Sequence, residues 1–288
     1  MRLQKNTIMR KTSLHITIFC LLCSVMPGYA QNDNKSKKHH NIKIGVEFGV
    51  DGLFGDAIKQ DMIRENQSSH YWHDDNDYYY GLLYNDQEMD ITYWGIKPEM
   101  FFAKNRIGLS TGLRLSRYSS SIDSYRNYFL WMIHQDETYT EYVKIRDIKQ
   151  NSYFLGIPVE LKFFPNKREL PVQFYLKTGA VFNYRIHTNN KVKFENQSMR
   201  IHSGKINNYT KQYINDFNSY MFLGLGFKIG RHHTDNKRYI PHVNIELHAL
   251  NIMLTEKASS FMKAYAGFGL QLSAQIPLGK TVPIGSRN

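Results

Sequence analysis

The sequence predicts an all-β protein, folded as a closed antiparallel transmembrane β-barrel of about eight strands. Three observations lead to this prediction: side-chain polarity that alternates with a period of two, connections that alternate between long and short, and an N-terminal segment with the pattern of an export signal. No sustained helical periodicity competes with the alternating runs.

The first thirty residues have the pattern of a cleaved secretory signal peptide. A basic start is followed by the apolar run "LHITIFCLLCSVM" and then by "PGYAQ", which predicts cleavage between Ala30 and Gln31. The apolar run is shorter than the roughly 20 residues of a membrane-spanning helix, so an uncleaved anchor is disfavoured. Residues 31–41, "QNDNKSKKHHN", are expected to form a flexible polar lead.

The composition limits the kinds of partner that the exported chain is expected to bind. The formal net charge of +12 falls by four, to +8, when the basic residues of the signal peptide are removed. The remaining Lys and Arg residues form no single block, and nucleic acid is a poor fit for an exported chain. Outer-membrane lipid and lipopolysaccharide are therefore the expected anionic partners. Both cysteines, Cys20 and Cys23, lie in the signal peptide, so no disulfide is expected after cleavage.

Eight runs of alternating polarity predict the strands of the barrel. The mean hydropathy of −0.50 and the lack of a later apolar run of spanning length exclude a helical membrane protein but allow a barrel. The connections after the first, third and fifth runs are long, and those after the second, fourth and sixth are short. This alternation is typical of outer-membrane barrels, which have long extracellular loops and short periplasmic turns. The barrel is expected over residues 42–278, with a C-terminal tail over 279–288 and strands at 42–52, 92–104, 106–119, 152–164, 171–186, 218–230, 239–253 and 261–278.

The two faces of each run differ in polarity. In the last run Phe268, Leu270 and Leu272 alternate with Gly269 and Gln271. Because no helices are available to cover an apolar sheet face, the sheet must close on itself, and one face then points inward. A polar outer face would give a soluble, lipocalin-like calyx, whereas an apolar outer face requires lipid. Aromatic residues near both ends of the apolar faces favour lipid, and they predict a girdle of Trp94, Phe102, Tyr153, Phe163, Phe174 and Tyr184.

Three segments carry a resemblance to a known family. "YFLGIPVELKFF", "PVQFYLKTGAVFNYRI" and "SYMFLGLGFKIG" resemble the PorT-like outer-membrane β-barrel family of certain Gram-negative bacteria. The resemblance covers most of the exported chain and implies an outer-membrane β-barrel; some members of that family are linked to protein secretion across the membrane. It implies no catalytic residue. Many such barrels end on an aromatic residue, whereas this chain continues past Leu278 with "GKTVPIGSRN".

Charged residues occupy the face opposite the apolar one. Both signs occur, so these side chains can form a paired network that fills the lumen; a narrow selective pore is the alternative. His248 lies on the same face. The predicted lumen network comprises Glu47, Lys97, Glu99, Arg114, Glu160, Lys162, Lys177, Arg185, Lys228 and Glu246.

Two long loops carry distinctive chemistry. The first contains "SSHYWHDDNDYYYGLLYNDQE", whose Tyr and Trp side chains could form a contact surface for a protein or a glycan. Its His70, His73, Asp74 and Asp75 match no familiar metal-site spacing, and no metal or cofactor is expected. The third loop, 187–217, is basic and could contact lipopolysaccharide or the acidic first loop.

The predicted function is that of a non-enzymatic barrel of the bacterial outer membrane, acting in surface interaction, envelope structure or protein-secretion support. The sequence contains no nucleophile elbow or comparable motif beside His248 or Ser273. A lipid-modifying outer-membrane enzyme, a narrow pore and a soluble periplasmic ligand-binding barrel stay open as alternatives.

Overall fold

The computed structural model describes residues 42–58, 63–65, 87–103, 106–123, 130–135, 139–165, 171–230, 242–255 and 257–278. The predicted signal peptide with its Ala30–Gln31 cleavage site, the polar lead, the C-terminal tail and the Tyr- and Trp-rich segment 68–86 lie outside these residues.

The described chain is built almost entirely from strands. A 3-10 turn at Gln197–His202 leads into one short helix, α1 (Ser203–Lys211). No helix among the described residues has the length and apolar character needed to cross a bilayer. The strands are β1 (Ile42–Ala57), β2 (Ile63–Glu65), β3 (Gln87–Phe102), β4 (Ile107–Thr111), β5 (Leu113–Asp123), β6 (Leu130–Gln135), β7 (Thr140–Phe163), β8 (Val172–Phe194), β9 (Phe217–Ile229), β10 (His242–Met253) and β11 (Met262–Leu278).

The antiparallel pairing closes on itself. From β1 it runs through β11, β10, β9, β8 and β7, and it returns through β4 and β5 to β3 and β1. β4 and β5 occupy one position, because only Gly112 separates them. The result is a closed ring of eight strands, which confirms the all-β, closed antiparallel sheet that the alternating runs predicted. We call the end with the β3–β4, β7–β8 and β9–β10 connections the turn end.

Gly112 is required by a close approach of two backbones. A Cβ atom at this position would lie 2.1 Å from the carbonyl oxygen of Ile96 and 2.8 Å from the Cα of Lys97. The interruption between β4 and β5 therefore sits where β3 comes too near for any larger residue.

Several strands extend beyond their predicted runs, and β7 and β8 do so most. β7 has 24 residues and β8 has 23, so residues 140–151 and 187–194, which were expected in loops, form paired strands that extend past the ring. Irregularities in the pairing at Ile145/Asp147 and Tyr153/Phe154 shift the side-chain phase. The second shift inserts Ile186 in β8 and breaks its alternation there, because a bulge reverses the in–out phase. On β7 the alternation continues from Ile148 to Phe163, but residues 149–152 are polar on both faces, so the run looked shorter than it is.

The extended strands carry a small domain that we call the cap. It consists of β2, β6, the far ends of β7 and β8, the 3-10 turn and α1. The buried hydrophobic cluster of the cap is aliphatic except for Met132 and Phe261. The buried members are Ile63, Ile122, Leu130, Met132, Val143, Ile145, Ile148, Ile206 and Phe261.

The outer face of the ring is apolar, whereas its inward positions include most of its charged and polar side chains. On β1, Ile44, Val46 and Phe48 are exposed, while Gly45 and Glu47 between them are buried. The same alternation runs along every strand of the ring. This arrangement is the inverse of a soluble protein, in which apolar side chains face the core.

Candidate functional site: the charged interior of the ring

Eight charged side chains meet in the middle of the ring, and we call them the central charge network. Each occupies an inward position that the alternation of its strand dictates. Their side chains are at most 1% exposed. Four carboxylates face four cations, so the network is formally neutral; its members are Glu47, Lys97, Glu99, Arg114, Glu160, Lys162, Lys177 and Glu246.

Glu160 on β7 is the hub of the network. Its carboxylate lies 2.7 Å from Lys97 Nζ, 3.0 Å from Arg114 Nη2 and 3.1 Å from Lys177 Nζ. The Ser110 hydroxyl donates a fourth contact at 3.1 Å. Three cations from three strands therefore converge on one buried carboxylate.

Glu47 closes a cycle with the same cations. Its carboxylate lies 2.9 Å from Lys97 Nζ and accepts a hydrogen bond of 2.7 Å from Arg114 Nε. Lys97 and Arg114 thus each bridge Glu47 and Glu160. Gln271 adds a neutral donor to Glu47 at 3.1 Å. A cycle of alternating charge gives every buried ion two partners of opposite sign, which offsets the cost of removing it from water.

The second half of the network is centred on Glu246. Lys162 Nζ lies 3.0 Å from its carboxylate, Lys177 forms a second ion pair with it, and the Tyr175 hydroxyl donates to it at 2.5 Å. Lys162 also lies 3.4 Å from Glu99. Lys177 bridges the halves, because it contacts both Glu160 and Glu246.

Aromatic rings complete the surroundings of the cations. The Arg114 guanidinium lies 4.1 Å from the centre of the Tyr93 ring, and Arg114 Nη1 donates to the Tyr220 hydroxyl at 3.1 Å. Lys162 lies 5.0 Å from the Tyr175 ring. Cation–π contacts of this kind are strongest where water is excluded. Tyr93 and Tyr175 have the same inward phase as the charged residues, a signal in the sequence that could have added them to the predicted network.

Apolar layers lie above and below the charges. Toward the cap, the interior is filled by a cluster that includes Tyr93, Tyr118, Phe154, Tyr220 and Phe222. Toward the turn end, it is filled by Phe101, Phe164 and Tyr175. The interior is therefore occupied by side chains over its whole height.

Two of the predicted network residues lie elsewhere. Arg185 does not belong to the central charge network. Its position on β8 has the inward phase, but it lies at the cap-side rim of the ring. There it pairs with Asp216, just before β9. The prediction was wrong for Arg185 because strand phase sets the face of a side chain but not its height. Lys228 is buried, but it lies at the turn end, where it contacts Gln173 at 3.4 Å and the Phe101 ring at 5.5 Å.

His248 and Ser273 have separate partners. His248 Nδ1 lies 3.0 Å from Asp51 Oδ1, and its ring stacks on Phe222 at 4.6 Å. The Ser273 hydroxyl accepts a hydrogen bond of 3.0 Å from Asn244. The fold does not combine these residues into the Ser–His arrangement that an acyl-transfer enzyme would use.

The girdle residues lie on the outer face. The pairing aligns Trp94, Leu115, Leu155 and Tyr184 in one cross-strand row on the cap side, and Phe102, Ile107, Phe163 and Leu176 in a second row at the turn end. Tyr153 and Phe174 lie two residues beyond these rows, on the cap side and the turn side respectively. Four of the six predicted girdle side chains are exposed, and Phe102 and Phe174 are half-buried.

Comparisons with known proteins add a distant structural similarity. No protein-family model matches the chain, and no curated protein matches its sequence. Among solved structures, the chain is similar to Ail, the attachment invasion locus protein of Yersinia pestis, crystallised in complex with the heparin analogue sucrose octasulfate. The alignment has 10% sequence identity and a TM-score of 0.29, and it covers 83% of this chain and 99% of Ail. The functional assignment therefore rests on the geometry of the ring itself.

Proposed function

We propose that the ring is a β-barrel of the bacterial outer membrane and that the protein acts without catalysis, in contacts between the cell surface and a protein or glycan. The proposal rests on the apolar composition of the outer face of the ring. Across all eight strands, no described residue between the two aromatic rows presents Asp, Glu, Lys or Arg outward. An exposed apolar band of this extent is not stable in water and requires lipid.

The height of the band supports the membrane assignment. Phe163 and Tyr153 mark its two edges on β7 and are ten residues apart. At about 3.3 Å per residue and a tilt of about 40°, this spacing spans about 25 Å, which is the height of the apolar band of an outer-membrane barrel. Aromatic side chains at both edges are typical of such a band.

The filled interior supports a role other than transport. A barrel of eight strands is narrow enough for side chains to fill it, and here a neutral charge network lies between two apolar layers. The paired interior charges therefore have a structural role, because they stabilise the polar interior of the ring.

The cap supports a surface-interaction role. Tyr139, just before β7, and Tyr142, on β7, are 50% and 59% exposed, and Ile133, which pairs with Tyr142, is 40% exposed. Exposed aromatic and aliphatic side chains on a domain outside the lipid band are typical of protein-binding surfaces. Long connections of outer-membrane barrels lie outside the cell, so we place the cap there. The PorT-like resemblance suggests a second role for the same surface, the support of protein secretion.

Single cysteines test both the location and the orientation, because the expected exported chain contains no cysteine. We expect a membrane-impermeant maleimide to label Tyr142→Cys on intact cells. The matched position is Pro165→Cys, exposed at the turn end, which should react only after lysis. Labelling of Pro165→Cys on intact cells with Tyr142→Cys silent would reverse the orientation. Recovery of the unmodified protein in the soluble fraction without detergent would overturn the membrane assignment.

A further inference from the structure

One side of the sheet carries a cluster of cations immediately beyond the apolar band. It lies on the outer face of β5, β7 and β8, on the cap side of the aromatic row. The pairing aligns Arg117 with Tyr153 and His187 in one cross-strand row, and it places Lys149 directly opposite Lys191 two rows further toward the cap. We call Arg117, Lys149 and Lys191 the rim cations; these three side chains and His187 are exposed.

Lys149 and Lys191 form a like-charge pair. Cations directly opposite each other across two strands destabilise a sheet unless an anion lies between them. Among the described residues, neither ammonium group has a carboxylate within ion-pair distance. Two nearby carboxylates have other partners, since Asp147 pairs with Lys193 and Glu195 lies 3.7 Å from Arg146.

The row between the two sets of cations is polar. On β5, β7 and β8 it consists of the neutral residues Ser119, Asn151 and Asn189, and on the neighbouring strand β3 it continues to Asp90. Arg117 leans over this row, because its Nε and Nη2 donate to Asn151 Oδ1 at 3.0 and 2.7 Å. The guanidinium is thus held in place on the same side as the lysine pair. The result is a shallow surface with amide groups at its centre and positive charge on two sides.

The strands next to the rim cations carry acidic residues on the same outer face. β3 adjoins β5 and places Asp90 opposite Ser119, and β1 presents Asp56, which accepts a hydrogen bond of 2.6 Å from the Tyr265 hydroxyl. The cluster of cations therefore ends at β5 and does not continue onto β3.

We propose that the rim cations bind the phosphate groups of a phosphorylated glycolipid in the leaflet that surrounds the cap side of the barrel. The proposal rests on the membrane assignment made above. Lys149 lies four residues beyond Tyr153, which is about 10 Å further from the membrane centre at about 3.3 Å per residue and a tilt of about 40°. This is the level of lipid headgroups when Tyr153 marks the edge of the hydrocarbon. Arginine and lysine together are the side chains that bind phosphate.

The test measures lipid retention by the purified full chain. The protein and the double variant Lys149→Gln/Lys191→Gln are reconstituted in nanodiscs that contain bisphosphorylated lipid A and phosphatidylethanolamine, and the lipid A that remains after delipidation is quantified by native mass spectrometry. Each cation near a membrane surface contributes about a fivefold preference for an anionic lipid, so the double variant should retain about 25-fold less lipid A. Arg200→Gln/Lys211→Gln is the matched control, because it removes two exposed cations from the segment after β8 and leaves the sheet face intact.

Each outcome decides a separate point. Loss of retention in the rim variant alone, together with an equal loss when dephosphorylated lipid A replaces the native lipid, supports the proposal. Equal retention by both variants overturns it and leaves the membrane assignment standing. Displacement of lipid A by millimolar inorganic phosphate also overturns it, in favour of a site for a free anion. Failure of every variant to enter nanodiscs would instead contradict the membrane assignment.

Discussion

Glu160 and Lys97 lie 2.7 Å apart in the interior of the ring, and neither side chain is accessible to solvent. They come from β7 and β3, strands that are not paired with each other because the β4/β5 position lies between them in the ring. Glu160 also contacts Arg114 and Lys177, so three cations depend on one carboxylate. The stability of the folded ring should therefore be most sensitive at this position.

Replacing Glu160 by Gln should strongly destabilise the folded protein. The change leaves buried cations without their shared anion, and breaking a buried ion pair in this way costs about 3–5 kcal/mol. The measurement is the denaturant midpoint in detergent micelles, followed by heat-modifiable migration on gels. Glu195→Gln is the control: its partner Arg146 is 3.7 Å away and 62% exposed, so the cost should stay below about 1 kcal/mol.

A double variant shows whether this loss comes from the ion pair. Glu160→Gln combined with Lys97→Met removes both charges, so the combined cost should be smaller than the sum of the two single costs. Strict additivity would mean that Glu160 and Lys97 do not interact in the folded protein.

Ala180→Arg should block assembly in the membrane, because this residue lies on the outer face of β8 midway between Leu176 and Tyr184, which belong to the two aromatic rows. A charged arginine facing lipid in a barrel costs about 2–4 kcal/mol at mid-depth and less near the interface. Asn189→Arg is the matched change, since Asn189 lies on the same face of β8 but beyond the band. The yield of heat-modifiable protein in outer-membrane fractions reports assembly. Similar yields for the two variants would show that the band does not contact lipid.

The purified protein should conduct little or no steady current in planar bilayers. The central charge network and the two apolar layers occupy the interior, so a continuous water path is not expected. An open porin, recorded in the same bilayers, provides the positive control. A large and stable conductance would contradict the filled interior and favour the pore that the sequence left open.

Gly112→Ala should lower the stability of the ring. The added methyl group would meet the Ile96 carbonyl oxygen at 2.1 Å, and a backbone atom cannot move aside as a flexible side chain can. Gly204→Ala provides the contrast, because a methyl group added there on α1 would have no atom within 4 Å. Alanine is favoured over glycine in a helix by roughly 0.5–1 kcal/mol, so this variant should be neutral or slightly stabilised. The reverse order of the two denaturant midpoints would contradict the close approach at Gly112.

Strand phase made part of this structure predictable. A strand alternates its side chains strictly between two faces, so the pattern around Glu160 and Lys162 was enough to place both on the inner face. The same reasoning placed Trp94 and Tyr184 on the outer face. The number of strands in the ring followed from the number of alternating runs, because a sheet with no covering helices must close.

The extent of β7 and β8 was not predictable in the same way. A register shift that inserts Ile186 changes the phase of β8, and residues 149–152 of β7 are polar on both faces, so neither extension continued the apolar alternation of its run. The cap therefore appeared only in the tertiary structure, where Val143 and Ile148 are buried in the same cluster as Ile206 of α1.

The sequence by itself determined which face each strand residue occupies, because that depends only on local backbone geometry. The tertiary structure decided which inward charges meet. Partners across the interior come from strands that are far apart in the chain, and their heights depend on the register of every intervening pair. Arg185 has the same phase as Lys177, yet it pairs with Asp216 at the rim, while Lys177 bridges Glu160 and Glu246 in the centre.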